Sequence, residues 1–283
     1  MADGLLPADN DDHIKNMQNP EANSYCPNRN PVTKFAGYDW WINYHWSQDQ
    51  GTYVWEPFKS VFDPKIIQQD ADGITLWIKP PENGHEAWKT SELVLVPKLG
   101  YGMYVVTARM NGGSFSDLDP NAVFGIFTYQ FSEAPAGHGA NKHREIDALE
   151  VLRGGSSNAQ FTLQPFGDSP PHPWSPFMIP PNTPVITSVM LWNEEQAGII
   201  TVAHMYLFAG DHDINNLPPW GSAIHNWKSE GFSSLIPRHT ATSCERLHIN
   251  LWLMHGVAPA AEQSVKITRF QFKPLPSTAA QRS

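Results

Sequence analysis

Apolar and polar residues alternate with period two along much of the chain beyond residue 50, the pattern of strands that bury one face. It predicts strands over 53–62, 74–79, 91–96, 102–110, 122–130, 145–152, 158–164, 185–192, 199–208, 247–253 and 264–273. Asp72-Gly73, Asn83-Gly84, Gly100, Gly112-Gly113 and Gly154-Gly155 punctuate the series as turns. So many short strands with little helical periodicity predict an all-β protein, a β-sandwich of two antiparallel sheets. Residues 1–33 are rich in Asn, Asp and Pro without periodicity and read as an irregular N-terminal segment. Residues 34–283 show neither repeat nor linker and read as one domain, with long loops over 165–184 and 209–243. One stretch competes. In 144–154, REIDALEVLRG, Ile146, Leu149 and Leu152 recur at spacing three, and Gly154 could cap a helix. Its β-rich neighbours on both sides decide for a strand.

As a strand, 144–152 places Glu145 and Asp147 on one face and Ile146 and Ala148 on the other. Strict alternation would then send Leu149 among the acids and bury Glu150 in the core, where an unpaired carboxylate is expensive. One extra residue near Ala148-Leu149, a β-bulge, restores the phase. Three carboxyls then share a face, and crowded carboxyls drive their pKa values apart. That separation of acid from nucleophile is what cleavage of a glycosidic bond with retention requires, with the two groups about 5–5.5 Å apart. Four strand steps span about 13 Å, so the two Glu side chains must lean towards each other on a curved strand.

Charge and composition narrow the partners. The net charge of -9 disfavours a surface that tracks phosphates, so no nucleic-acid partner is expected. Charged residues are scarce at 17%, and eleven Trp offer flat faces for neutral rings. No apolar window is long enough to span a membrane. The opening residues, MADGLLPADNDDHIKN, contain neither the basic nor the apolar region of a secretory signal. Cys26 and Cys244 could pair or remain two buried thiols.

Glu145-Ile146-Asp147-Ala148-Leu149-Glu150 resembles the catalytic signature of family 16 glycoside hydrolases, in the form with one additional bulged residue. Residues 73–110 are similar to the segment leading into that family's "yGryEaR" strand, and Asn250-Leu251-Trp252 and Val265-Lys266-Ile267 to its closing strands. The resemblance spans about residues 50–273. It implies a concanavalin A-like jelly roll, with Glu145 as nucleophile, Glu150 as acid/base and Asp147 as assisting carboxylate. Two departures stand out. The family's Trp and Gly before the first Glu are absent from Gly139-Ala140-Asn141-Lys142-His143-Arg144. Thr268 and Arg269 occupy the place of an Asp often found near a structural calcium. No metal site and no cofactor are therefore expected.

The expected substrate-binding residues are His143, Asn158 and Gln160, with Gln164 next on the same face, and the loop tryptophans Trp88, Trp174, Trp220 and Trp227. Trp77, Trp192 and Trp252 sit in apolar strands and are expected in the core. Glu92 and Arg109 are expected to act as partners within the sheets, and Glu194-Glu195 to form a turn. The expectation is an endo-acting, retaining hydrolase of a β-linked polysaccharide, monomeric, and secreted or periplasmic as a mature fragment. The alternative is a lectin-like jelly roll that binds sugar without cleaving it.

Overall fold

The computed structural model describes residues 33–43, 46–47, 52–53, 61–81, 87–134, 140–154, 156–166, 172–196 and 200–275. In chain order its strands are β1 (Thr33–Phe35), β2 (Tyr38–Ile42), β3 (Trp46–Ser47), β4 (Thr52–Tyr53), β5 (Val61–Phe62) and β6 (Gln68–Asp70). Then come β7 (Gly73–Ile78), β8 (Lys89–Leu95), β9 (Gly102–Met110), β10 (Ala122–Tyr129), β11 (Ile146–Gly154) and β12 (Ser157–Leu163). The last are β13 (Trp174–Phe177), β14 (Val185–Gln196), β15 (Ile200–Ala209), β16 (His225–Lys228), β17 (Arg246–Leu253) and β18 (Gln263–Pro274). One sheet runs β1-β2-β8-β17-β10-β11-β12-β13 and the other β16-β15-β14-β9-β18-β7-β6. Among the described strands, β3 and β4 form a separate antiparallel pair, and every pairing is antiparallel apart from that of the short β5, which lies parallel to β8.

Alternation explains why the sheets stack. Inward residues of the first sheet, such as Leu93, Phe124, Ile146, Phe161 and Ile249, meet Leu76, Val106, Met190, Leu207 and Ile267 of the second in one buried core. Each such side chain contributes about 1.5–3 kcal/mol on burial. Trp40 and Trp192 are wholly enclosed, and each indole N–H finds a carbonyl, that of Phe35 and that of Pro237, both at 3.0 Å. The result is the two-sheet sandwich that the alternation predicts, with the jelly-roll architecture that the resemblance implies.

Several expectations change in detail. Of the strand expected over 53–62, Tyr53 ends β4 and Val61 and Phe62 form β5, while 54–60 lie outside the described residues. The 144–154 stretch is a strand, because both flanking strands offer it backbone partners that a three-turn helix would forgo. Glu194-Glu195 belong to β14, which continues through Gln196 opposite β15. The long loops contain the edge strands β13 and β16. Cys244 is disulfide-bonded; the other cysteine, Cys26, lies outside the described residues.

Candidate active site

The outward face of the first sheet carries the acids. Register aligns two rows of side chains across it. One row runs Trp41, Val94, His248, Phe127, Asp147, Thr162 and Trp174. The next runs Glu92, Asn250, Gly125, Glu150, Gln160 and Pro176. Between them lies a cleft of about 300 Å³, lined by Glu92, Gly125, Phe127, Tyr129, Phe131, Glu145, Asp147, Glu150, His248, Asn250 and Trp252. Gly125 is required here because a Cβ at that position would stand 2.5 Å from Asn250 Oδ1.

The acids share the face because β11 is bulged. Leu149 pairs with Ile126 and Asp147 with Phe127, leaving Ala148 as the extra residue. On the other side the register jumps between Asp147-Thr162 and Glu150-Gln160. Ala148 and Leu149 both enter the core, so Glu150 returns to the cleft. The cost of burying Glu150 made this irregularity necessary, and it lies where that argument placed it.

Glu145 sits just before β11 on a mount of side-chain hydrogen bonds. Its N–H donates to Asn141 Oδ1 at 3.0 Å, and its carbonyl accepts from Asn141 Nδ2 at 2.8 Å. Asn141 Nδ2 also reaches the Leu235 carbonyl at 2.9 Å. Thr128 Oγ1 donates to the Arg144 carbonyl at 2.9 Å and accepts from the Ile146 N–H at 3.0 Å. Arg144 adopts φ 54°, a left-handed conformation costly for a residue with a side chain. Its buried guanidinium compensates: Nη1 donates to the Arg238 carbonyl, and Nε lies 3.8 Å from Glu245 Oε2. A non-glycine residue can thus turn the chain into the acidic strand.

Burial and mutual repulsion dominate the electrostatics. Glu145 is pushed up to about 8, first by burial and then by the Glu150 charge, against a hydrogen bond with Asp147 that lowers it. Asp147 is raised well above the usual carboxylate range by burial and by both glutamates, while Gln164 Nε2, donating at 3.0 Å, pulls the other way. Glu150 is raised by burial, and Gln160 Nε2 at 2.8 Å and Thr162 Oγ1 at 3.3 Å favour its ionised form. The hydrogen bond between them raises Asp147 and lowers Glu145, as when Asp147 carries the proton and donates it towards Glu145. Tyr129, pushed up to about 12 by burial and by Glu145 and Glu92, stays a neutral phenol at the cleft wall.

The expected binding residues divide. Gln160 reaches the cleft acid Glu150, and Trp174 shares the cleft face as the cross-strand neighbour of Thr162, with Phe166 at 6.0 Å. His143 stacks on Tyr129 at 5.0 Å and bonds the Gln130 carbonyl at 3.0 Å, beside the cleft. Four positions are corrected. Asn158 is buried and exchanges both its amide bonds with the backbone of Ile179, at 3.2 and 2.6 Å, which takes it away from the ligand side. Trp88 and Trp227 pack against the main core. Trp220 lies on the outer face of the second sheet against Tyr206 and Phe208.

Trp252, expected in the core, lines the cleft instead. Trp77 is half-buried with Lys79 Nζ 4.6 Å from its ring, while Trp192 is core as expected. Arg109 is exposed on β9 in the second sheet. Glu92 faces the cleft, where it bonds Asn43, His248 and Asn250. Missing from the sequence expectation were Phe127, Tyr129, Thr162, His248 and Asn250. The alternation in LHINLWL, with Leu and Ile inward, already marked His248, Asn250 and Trp252 as one outward face. Among the described residues no cluster of His, Cys, Asp and Glu is arranged to hold a metal ion.

No protein-family model matches the sequence, and no curated protein matches it significantly. Solved structures do match by shape. A β-glucanase of Bacillus licheniformis aligns over 86% of this chain and 95% of its own, at 15% identity and a TM-score of 0.55. A prokaryotic β-1,3-1,4-glucanase (lichenase) from a mouse hindgut metagenome aligns over 83% and 93%, at 15% identity and 0.52. An immunostimulatory antigen and pseudo β-1,3-glucanase of Mycobacterium tuberculosis aligns over 84% and 91%, at 11% identity and 0.53. At these identities the likeness is one of fold: the chain has the jelly-roll architecture on which glucanases and lichenases are built.

Proposed function

We propose that the protein is an endo-acting, retaining glycoside hydrolase of a neutral β-linked polysaccharide. The observation that carries this reading is the bulge of β11, which returns Glu150 to the cleft beside Glu145 and Asp147, where burial raises all three carboxyls. With Glu150 protonated, its push on Glu145 disappears, and the Asp147 proton holds Glu145 as the anion. Glu150 then gives its proton to the departing glycosidic oxygen while Glu145 attacks the anomeric carbon, forming a glycosyl ester. The Glu150 carboxylate next takes a proton from water, the water oxygen attacks the same carbon, and Glu145 leaves as carboxylate. A sugar hydroxyl in place of that water gives transglycosylation. The opposite distribution, with Glu150 ionised and Glu145 protonated, is favoured by Gln160 and Thr162 and would exchange the two roles.

A row of side chains crossing the sheet from Trp41 to Trp174 suits internal positions of a long chain. No Lys or Arg is among the described residues lining the cleft, which suits a neutral glycan. A secreted or periplasmic setting is consistent with disulfide-bonded Cys244, since disulfides persist in oxidising compartments. The test is reducing-end release from a panel of β-glucans, agar, carrageenan and xylan by wild type and Glu145→Gln. Release that vanishes in the variant, with the fold intact by circular dichroism, supports the reading. Binding without release by wild type across the panel would replace it with a sugar-binding jelly roll.

A further inference from the structure

Across the cleft from the acids, Glu92 organises a second buried cluster. Asn43 Nδ2 donates to Glu92 Oε1 at 2.9 Å, His248 Nδ1 lies 2.8 Å from the same oxygen, and Asn250 Nδ2 donates to Oε2 at 3.1 Å. Asn43 and Asn250 each turn an amide N–H to a Glu92 oxygen. In a neutral imidazole, an Nδ1–H turned to Glu92 belongs to the tautomer whose Nε2 keeps a lone pair, and the Asn250 amide, N–H first to Glu92, turns its Oδ1 away. Among the described residues, His248 Nε2 and Asn250 Oδ1 have no hydrogen-bond partner. His248 is 1% exposed and Asn250 5%, yet both line the cleft. Phe127, Tyr129 and Phe131 pack round the imidazole with ring centres 5.1–5.7 Å away, so they offer it no acceptor or donor at Nε2.

A buried acceptor without a donor is costly to maintain, and it is satisfied when a ligand supplies the donor. The register says where that ligand lies. Asn250 and Glu150 flank Gly125, and His248 and Asp147 flank Phe127. Two strand spacings of about 4.8 Å separate the acceptor wall from the acid wall, room for one pyranose ring. We propose that His248 is a specificity-determining residue: its Nε2 accepts a hydroxyl hydrogen from the sugar unit lying over Gly125. The site thereby selects a glycan with that hydroxyl free over one carrying a sulfate or carboxylate there. This rests on the cleft being a glycan site, as proposed above. An anionic substituent would bring no donor and would meet a lone pair backed by the Glu92 carboxylate; an alkylated one would leave Nε2 unpartnered.

Two variants separate the ring nitrogens. In His248→Asn the side-chain N–H can still serve Glu92, but nothing remains at the Nε2 position. In His248→Gln the amide reaches the Nε2 position and gives up the bond to Glu92. Binding is measured by calorimetry in the Glu145→Gln background, and KM and kcat in the active enzyme. The probes are a mixed-linkage β-glucan oligosaccharide, laminarin, and laminarin sulfate. His248→Asn is expected to weaken neutral-glycan binding roughly tenfold, raising KM with kcat nearly unchanged, while His248→Gln stays within about threefold of the parent. The ¹⁵N resonance of His248 Nε2 in wild type should move when the neutral oligosaccharide is added, and stay in place with laminarin sulfate. Melting temperatures check that each variant folds, and the resonance tests the claim even if one does not. Unchanged affinity in His248→Asn, or a resonance indifferent to a glycan the enzyme cleaves, overturns the proposal and leaves the hydrolase reading standing. Wild type that neither binds nor cleaves either neutral probe but binds the sulfated one overturns both.

Discussion

Glu145→Gln should make the protein more stable, and increasingly so as the pH rises. Burial and the Glu150 charge hold the Glu145 carboxyl at about 8 against an ordinary 4.5. Between those values the folded protein binds a proton that the unfolded chain has released, so the stability is full below about pH 4.5 and is lost as the pH rises through 8. At about 1.4 kcal/mol per pH unit, an ionised Glu145 costs the fold about 5 kcal/mol above pH 8. Part of this is the repulsion from Glu150, which a proton on Glu150 removes, so the variant should gain about 2–5 kcal/mol at pH 9. At pH 4, where the native carboxyl is neutral, the gain should shrink below about 1 kcal/mol. For a domain of this size that is a rise in Tm of roughly 5–15 °C at pH 9 and little change at pH 4. Thermal or urea unfolding of both proteins from pH 4 to 9 measures the difference directly. A difference that is flat with pH, or that narrows as the pH rises, would refute the claim that Glu145 is a strained, buried acid.

The remaining expectations concern the mount, the floor and the pH profile. Thr128→Val removes the bonds to the Arg144 carbonyl and the Ile146 N–H; it should cost about 1–3 kcal/mol in urea unfolding. It should also lower kcat roughly tenfold to a hundredfold, more than it raises KM, because the displaced group is the reacting one. Gly125→Ala places a Cβ 2.5 Å from Asn250 Oδ1; calorimetry should show glycan binding weakened about tenfold, from a floor raised by one methyl group. The kcat/KM profile should rise at a pH above the ordinary carboxylate range, because burial raises all three cleft acids. An ascending limb near pH 4 would show that the acids are solvated in the free enzyme.

The alternation of Leu and Ile with other residues made most long strands legible, and the cost of a buried Glu150 made even the bulge of β11 legible. The mount of Glu145 was not. Asn141, Arg144 and Thr128 act through backbone contacts and a left-handed turn, which leave no periodic trace. Pro-rich composition hid β13, WSPF, because a short edge strand needs only one partner and tolerates Pro on its free side, while β16, HNWK, is too short to show a period. The tryptophans misled for a different reason. Apolar neighbours along the chain said little about Trp252, whose own parity in LHINLWL sends it outward with His248 and Asn250. Trp88, Trp220 and Trp227 have polar neighbours in sequence but find apolar ones in space.

The central claim is that Glu145 forms a covalent bond to the sugar while Glu150 handles the proton. An activated 2-deoxy-2-fluoro-β-glycoside of the sugar identified by the panel slows breakdown of the intermediate and lets it accumulate. Mass mapping of the labelled protein should find the sugar on the peptide containing Glu145, with its release accelerated by an added acceptor glycan. Label on Glu150 would contradict the assignment and exchange the two roles; cleavage of the panel glycan with no residue labelled would contradict the covalent mechanism itself.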